Sequence, residues 1–300
     1  MRQPDFFIVG APKCGTTALS EYLRGHEAVF VSTPKEPHYF CEDFDYYYRP
    51  GERSLEHYLR LFDDAGPRHR AVGEASVWYL YSEAAVPAIL EFAPFARIIA
   101  MVRDPVEMVP SLHSQMRYAM DEDVADVEEA WRLQEARAAG RAIPPSCRVP
   151  EFLQYGRACM LGAQVERLMS RVPPEQLRVI VLDDMRDDPR GVYTDTLRFL
   201  GVPDDGRTDF PRVNANKVHR AGALARLTQR PPRVLVKAAE GVKRVTGRER
   251  LGVLQRVRDR NRSVEARTAP SPEFLAELRE FYADDVALLG RLLGRDLGWS

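Results

Sequence analysis

Phe6-Phe7-Ile8-Val9-Gly10-Ala11-Pro12-Lys13-Cys14-Gly15-Thr16-Thr17 decides how this chain folds. An apolar run of strand length stops at a turn marked by Gly and Pro. Thr16 and Thr17 then open a helical pattern through residues 18–23. A strand, a tight turn carrying a lysine and a helix N-terminus together form an anion cradle. The unpaired N–H groups of the first helical turn face the ligand, the helix dipole favours negative charge, and Lys13 adds a cation. The stretch predicts a phosphate-like ligand; the bland alternative is an ordinary strand-to-helix turn.

The loop approaches the triphosphate pattern G-x-x-x-x-G-K-[ST] without matching it. Gly10 and Gly15 keep the spacing, but Thr16 stands where that pattern has Lys, and the lysine moves back to position 13. A second stretch has the same logic. Ala96-Arg97-Ile98-Ile99-Ala100-Met101-Val102 reads as a buried parallel strand, followed by Arg103-Asp104-Pro105-Val106-Glu107 and a helix over residues 108–116. Arg103 at the strand end and Ser111 eight residues on have the donors to converge on one phosphate, a planar fork and a short hydroxyl. The competing reading pairs Arg103 with Asp104 and leaves Ser111 solvated.

The two loops together resemble the 5′-phosphosulfate loop and the 3′-phosphate site of sulfotransferases that use 3′-phosphoadenosine 5′-phosphosulfate (PAPS) and release PAP. Lys35-Glu36-Pro37-His38-Tyr39-Phe40 resembles the K-E-x-H-[FY]-F segment of heparan-sulfate-type and related bacterial members. Gly73-Glu74-Ala75-Ser76 resembles their G-E-x-S element, and Asn214-Ala215-Asn216-Lys217 a C-terminal landmark. The resemblance implies a P-loop-like three-layer α/β/α sandwich with a central parallel sheet. It implies a donor site of Lys13, Cys14, Gly15, Thr16, Thr17, Arg103, Ser111, Asn216 and Lys217, and catalysis by Lys13, Glu36 and His38. Glu36 is the first choice of base, helped by a pKa raised through burial; His38 is the runner-up or an orienting group, since a strand-like pair would share a face. The chain departs from the family at Leu161, Ala75 and Val77, where Tyr, Lys and Pro occur.

Composition, 45% hydrophobic and 29% charged, fits a folded enzyme rather than a disordered chain. The expected organisation is one sulfotransferase domain over 1–300. No apolar run reaches the ~18–20 residues of a membrane span, and the first strand begins too early for a signal peptide, so the expected location is the cytoplasm. Cysteines 14, 41, 147 and 159 lack metal-ligand spacing, which predicts no metal and no disulfide. Cys14, beside Lys13 at a helix start where a thiol pKa tends to fall, reads as a small loop-filling residue open to alkylation. Residues 121–135 are acid-rich and read as a solvated helix leading into a mobile loop. Residues 217–267 hold 15 Lys/Arg against 4 Asp/Glu, a balance of +11 in a chain of net charge −1. Readings of this partly helical segment are a solvated lid, an acceptor platform or a peripheral membrane contact; it lacks the aromatics of a nucleic-acid surface. Ser271-Pro272-Glu273 starts a last helix with Leu275, Leu278, Tyr282, Val286, Leu289 and Leu293 as its buried stripe, ended by Gly294.

The expected reaction is metal-independent sulfuryl transfer from PAPS to a hydroxyl of a small-molecule, lipid or glycan acceptor, by in-line attack. Two other classes compete: a P-loop kinase, disfavoured by the displaced lysine, and a nucleotide-binding module without turnover.

Overall fold

The computed structural model describes residues 2–44, 53–211, 217–219, 262–264 and 269–299. β1 (Phe6–Gly10) leads through the phosphate-type loop into α1 (Thr16–Arg24). Then come β2 (Val29–Val31), α2 (Leu55–Leu59), β3 (Ala71–Ala75), α3 (Ala85–Phe92), β4 (Arg97–Val102) and α4 (Pro105–Ala119). Three short helices follow, α5 (Val127–Arg132), α6 (Gln134–Ala138) and α7 (Tyr155–Ala158), and then α8 (Leu161–Met169). β5 (Leu177–Val181) carries α9 (Leu182–Asp187) and α10 (Pro189–Phe199). Two three-residue strands, β6 (Lys217–His219) and β7 (Arg262–Val264), pair antiparallel, and α11 (Pro272–Leu293) comes last.

The first five strands form one parallel sheet in the order β2-β3-β1-β4-β5. Every residue of β1 and β3 is buried, as expected of a parallel sheet covered by helices on both faces. The fold is therefore the α/β sandwich expected from the sequence. From β1 the chain works to one side of the sheet, and from β3 it crosses to the other. The reversal falls between β1 and β4, and the carboxyl ends flanking such a reversal are where open α/β sheets bind ligands. The phosphate-type loop and Arg103 follow those two strands.

Several local expectations need correction. β2 and β3 were not anticipated as strands. α4 starts at Pro105, three residues before the expected 108, because Asp104 caps it by accepting from the Val106 N–H and Pro105 fills its first position. The acid-rich stretch is not uniformly solvated. Glu122 is buried against Arg137, with both side chains 0% exposed, and Asp121 pairs with Arg148. The terminal helix keeps its Ser271 and Gly294 caps, but its buried stripe is centred on Phe274, Leu278, Tyr282, Asp285 and Leu289. Asp285 lies in that stripe because it accepts from the Gly162 and Ala163 N–H groups, both at 2.8 Å, at the start of α8. Among the described residues no helix is long and apolar enough to cross a membrane.

Candidate active site

Two loops meet at the carboxyl edge of the sheet, and hydrogen bonds between strand ends hold them in register. The Ala11 N–H donates to the Met101 carbonyl at 2.8 Å, the Ser76 N–H to Ile8 at 3.0 Å, and the Leu80 N–H to Val9 at 2.7 Å. Gly10 lies where no side chain fits: with φ +144°, a Cβ there would sit 2.5 Å from the Val77 carbonyl oxygen. Gly15, with φ +89°, caps α1 in the left-handed region, and a Cβ there would meet Leu182 at 2.8 Å. The cap supplies no side-chain acceptor, so the first-turn N–H groups remain suited to an anion.

Lys13 adopts φ +66°. Its carbonyl accepts from Arg103 Nη1 at 3.0 Å, and its Nζ approaches Gln115 Oε1 to 3.5 Å. The structure thus joins the two sequence-predicted phosphate residues through one contact. Arg103 is 8% exposed, and its other Nη grips Glu107. Its Nε has no hydrogen-bond partner among the described residues. The alternative pairing of Arg103 with Asp104 is not what forms, since Asp104 is occupied as the cap of α4. Glu107 also accepts from Arg186 at 3.1 Å. Burial works to raise the Glu107 carboxyl, but Arg103 and Arg186 outweigh it and hold it below its ordinary value. Ser111 lies on the buried face of α4. Thr17 is half-buried, whereas Thr16 is buried.

Cys14 departs from expectation. Its side chain is fully buried, its Sγ lies 3.4 Å from the Pro12 carbonyl, and burial pushes the thiol up to about 12 despite Arg103 and Lys13. It fills the loop, as expected, while burial opposes the lowered thiol pKa that its place beside Lys13 suggests.

Glu36 and His38 are brought together, though not by a strand. Both are left-handed, φ +66° and +51°, and His38 Nε2 lies 3.5 Å from Glu36 Oε2. Lys35 Nζ is 2.6 Å from Glu36 Oε1. Burial works to raise the Glu36 carboxyl, but the His38 hydrogen bond and the Lys35 charge outweigh it and hold it at about 2. The pKa is therefore lowered where a raised one was expected: the His38 hydrogen bond and the Lys35 charge together keep this carboxylate ionised. Burial lowers the His38 pKa, against the raising effect of Glu36, so the imidazole is neutral near pH 7.

Among the described residues, Lys13, Glu36 and His38 are three of five non-glycine residues with positive φ. Such strained positions concentrate at functional sites. Lys35 stands beside Glu36, and Glu107 and Gln115 stand beside the Arg103–Lys13 contact. Lys35 and Glu107 stood inside the quoted motifs, whereas nothing in the sequence marked Gln115. Asn216 lies outside the described residues, and Lys217 is described only as the first residue of β6. Most of the basic 217–267 segment lies outside them too.

Comparison with known proteins bears on the family of the chain. Residues 3–212 match the family model described as the sulfotransferase domain. The chain is 29% identical over 210 residues to human bifunctional heparan sulfate N-deacetylase/N-sulfotransferase 3, covering 67% of this chain and 22% of that protein. It is 36% identical over 147 residues to human carbohydrate sulfotransferase 15, covering 36% of this chain and 26% of the relative. The aligned part thus spans about a quarter or less of either relative. The crystal structure of a sulfotransferase from Alicyclobacillus acidocaldarius superposes with a TM-score of 0.73 at 26% identity, covering 100% of this chain and 99% of that one. With its phosphate-type loop, its arginine after β4 and a domain match across most of its length, this chain belongs to the sulfotransferase family.

Proposed function

We propose that the chain transfers the sulfuryl group of PAPS to a hydroxyl of a small-molecule, lipid or glycan acceptor, releasing PAP. Glycans come first, since the names of both human relatives denote sulfation of heparan sulfate or carbohydrate. The observation that carries the reading is the Arg103–Lys13 contact, which sets two cationic side chains around one loop at the sheet's reversal point.

Lys13 and the N–H groups of Gly15, Thr16 and Thr17 suit the donor's 5′ end; Thr16 serves through its backbone, its side chain being buried. Arg103 and Ser111 suit the 3′-phosphate, and the orphaned buried Nε of Arg103 fits a ligand there. Glu107, 51% exposed on its side chain, is free to turn toward Arg186 and yield the fork to a phosphate. Asn216 and Lys217 remain assigned to the donor on resemblance.

Attack by the acceptor oxygen forms one S–O bond as the S–O bond to the donor phosphate breaks, and the acceptor proton passes to Glu36. Lys13 stabilises charge on the departing oxygen. A carboxylate held at about 2 is a weak base, which suffices where the transition state is loose, as in phosphoryl transfer. His38 orients Glu36. The chemistry asks for no metal.

The test is transfer of labelled sulfate from PAPS to a panel of hydroxylated glycans, lipids and small molecules. Glu36→Gln should cut kcat by ~10²–10⁴-fold, the usual scale of base assistance, with PAP affinity intact. If His38→Ala is dead while Glu36→Gln retains its rate, the base is histidine.

A further inference from the structure

Glu74, a residue the reaction does not use, is fully buried near the end of β3. Three hydroxyls donate to its carboxylate: Tyr58 Oη at 3.1 Å, Tyr79 Oη at 2.7 Å and Ser76 Oγ at 2.6 Å. Two of these hydroxyls also face the loop that carries Glu36 and His38. The Ser76 Oγ accepts the His38 N–H at 3.0 Å, and the Tyr79 Oη accepts the Phe40 N–H at 3.4 Å. A third tether runs from the Glu36 N–H to the Ala75 carbonyl at 3.0 Å.

A hydroxyl has one proton to give. Because Ser76 and Tyr79 each commit theirs to Glu74, their lone pairs are turned toward the loop N–H groups. The carboxylate thereby dictates the direction of two hydrogen bonds it does not itself make. Those bonds hold the backbone at and beyond His38, whose φ is +51°, a conformation that persists only where the surroundings over-determine it.

We propose that Glu74 is a positioning residue whose ionised carboxylate orients Ser76 and Tyr79 to lock the Glu36–His38 loop, making acceptor turnover depend on its ionisation. The inference rests on the assignment of that loop to the acceptor side of the reaction. Protonation turns Glu74 from a pure acceptor into a donor. One of its partner hydroxyls must then rotate, and where that is Ser76 or Tyr79 its proton faces a loop N–H and the tether is lost. Burial pushes the Glu74 carboxyl up to about 7, against the hydrogen bonds of Ser76, Tyr79 and Tyr58 and the charge of Lys35. The titratable groups facing it are Tyr58 from α2, Tyr79 from the turn after β3, and Lys35, His38 and Cys41 from the loop after β2. Burial raises the Tyr79 hydroxyl and the Cys41 thiol and lowers the His38 imidazole. A transition near 7 therefore belongs to Glu74. Its sign is that the locked loop is present above that pH and lost as pH falls through it.

Two measurements on the full chain test this. Protection of the backbone amides of Glu36, His38, Tyr39 and Phe40 from hydrogen exchange, relative to the intrinsic rate, should rise as pH increases through neutrality. In Glu74→Gln, whose amide imitates the protonated acid, protection should stay low at every pH. In the transfer assay Glu74→Gln should lose ~10–100-fold in kcat, the scale of a misplaced catalytic group, with PAP affinity unchanged and the acid limb near neutrality abolished. If Glu74→Gln does not fold, Ser76→Ala and Tyr79→Phe cut one tether each and should each lower loop protection and kcat without moving PAP affinity. Wild-type protection that ignores pH, or variants with wild-type protection and rate, overturn the proposal. A chain with pH-dependent protection but no PAPS turnover would instead overturn the functional reading and leave the lock standing.

Discussion

Replacing Arg137 by Met should cost this fold about 3 kcal/mol near neutral pH, and the cost should shrink in acid. Arg137 donates two bonds to Glu122, at 2.7 and 2.8 Å, with both side chains 0% exposed. Breaking a buried pair from one side typically costs ~3–5 kcal/mol because the other charge is stranded. The lower end applies here, since Glu122 keeps the Tyr155 hydroxyl at 2.7 Å and the N–H groups of Asp123 and Val124 at 3.0 Å. For a chain of this size that is a fall in Tm of roughly 6–12 °C. In the wild type, burial works to raise the Glu122 carboxyl, but Arg137, Tyr155 and Val124 hold it below its ordinary value. Its contribution is therefore present above the unfolded pKa of ~4.3 and fades as pH falls through the folded value. Without Arg137, burial raises the folded pKa above the unfolded one, so the variant is penalised most at high pH and recovers as pH falls. Denaturant titrations of wild type and Arg137→Met at about pH 7 and about pH 5 should show the gap closing, and Glu122→Gln/Arg137→Met should recover most of the loss. A loss under about 1 kcal/mol at neutral pH, or a gap that ignores pH, would refute the stranded-charge reasoning.

Three further outcomes are expected. Cys14 should resist iodoacetamide in the native protein and react on unfolding, because burial pushes its thiol up to about 12; native labelling at the unfolded rate would show that the loop opens. Gly10→Ala should destabilise the fold and weaken PAP binding together, since its Cβ would lie 2.5 Å from the Val77 carbonyl oxygen; unchanged Tm and affinity would contradict the close approach. EDTA should leave PAPS-dependent transfer intact if Lys13 rather than a metal neutralises charge on the departing oxygen; activity abolished by EDTA and restored by Mg²⁺ would favour the phosphotransferase reading.

Much of the fold was legible because its central strands are continuous apolar runs ending in Gly, Pro or Arg, the local signature of a covered parallel sheet. β2 and β3 escaped because Val29–Val31 is three residues long and β3 carries Gly73 and Glu74, poor strand formers by propensity. Motif order gathered Lys13, Arg103, Glu36 and His38, which the structure sets on the three loops that follow β1, β4 and β2. What the sequence could not convey was charge balance at contact distance. His38 and Lys35 reverse the expected shift of Glu36, burial reverses that of Cys14, and Arg137 takes Glu122 out of what reads as a solvated acidic run. Each reversal depends on a separation of a few ångströms that spacing along the chain does not encode.

The central claim is a donor site built for a nucleotide with a 3′-phosphate, and it can be measured without knowing the acceptor. Calorimetric titration with PAP and with ADP, on wild type and Arg103→Ala, tests it directly. Hydrogen bonds to a charged group are worth ~1.5–3 kcal/mol, so Arg103→Ala should weaken PAP binding by ~10–100-fold while barely changing ADP binding. PAP should be much the tighter ligand of the wild type. ADP binding as tightly as PAP, or PAP affinity indifferent to the loss of Arg103, would contradict it.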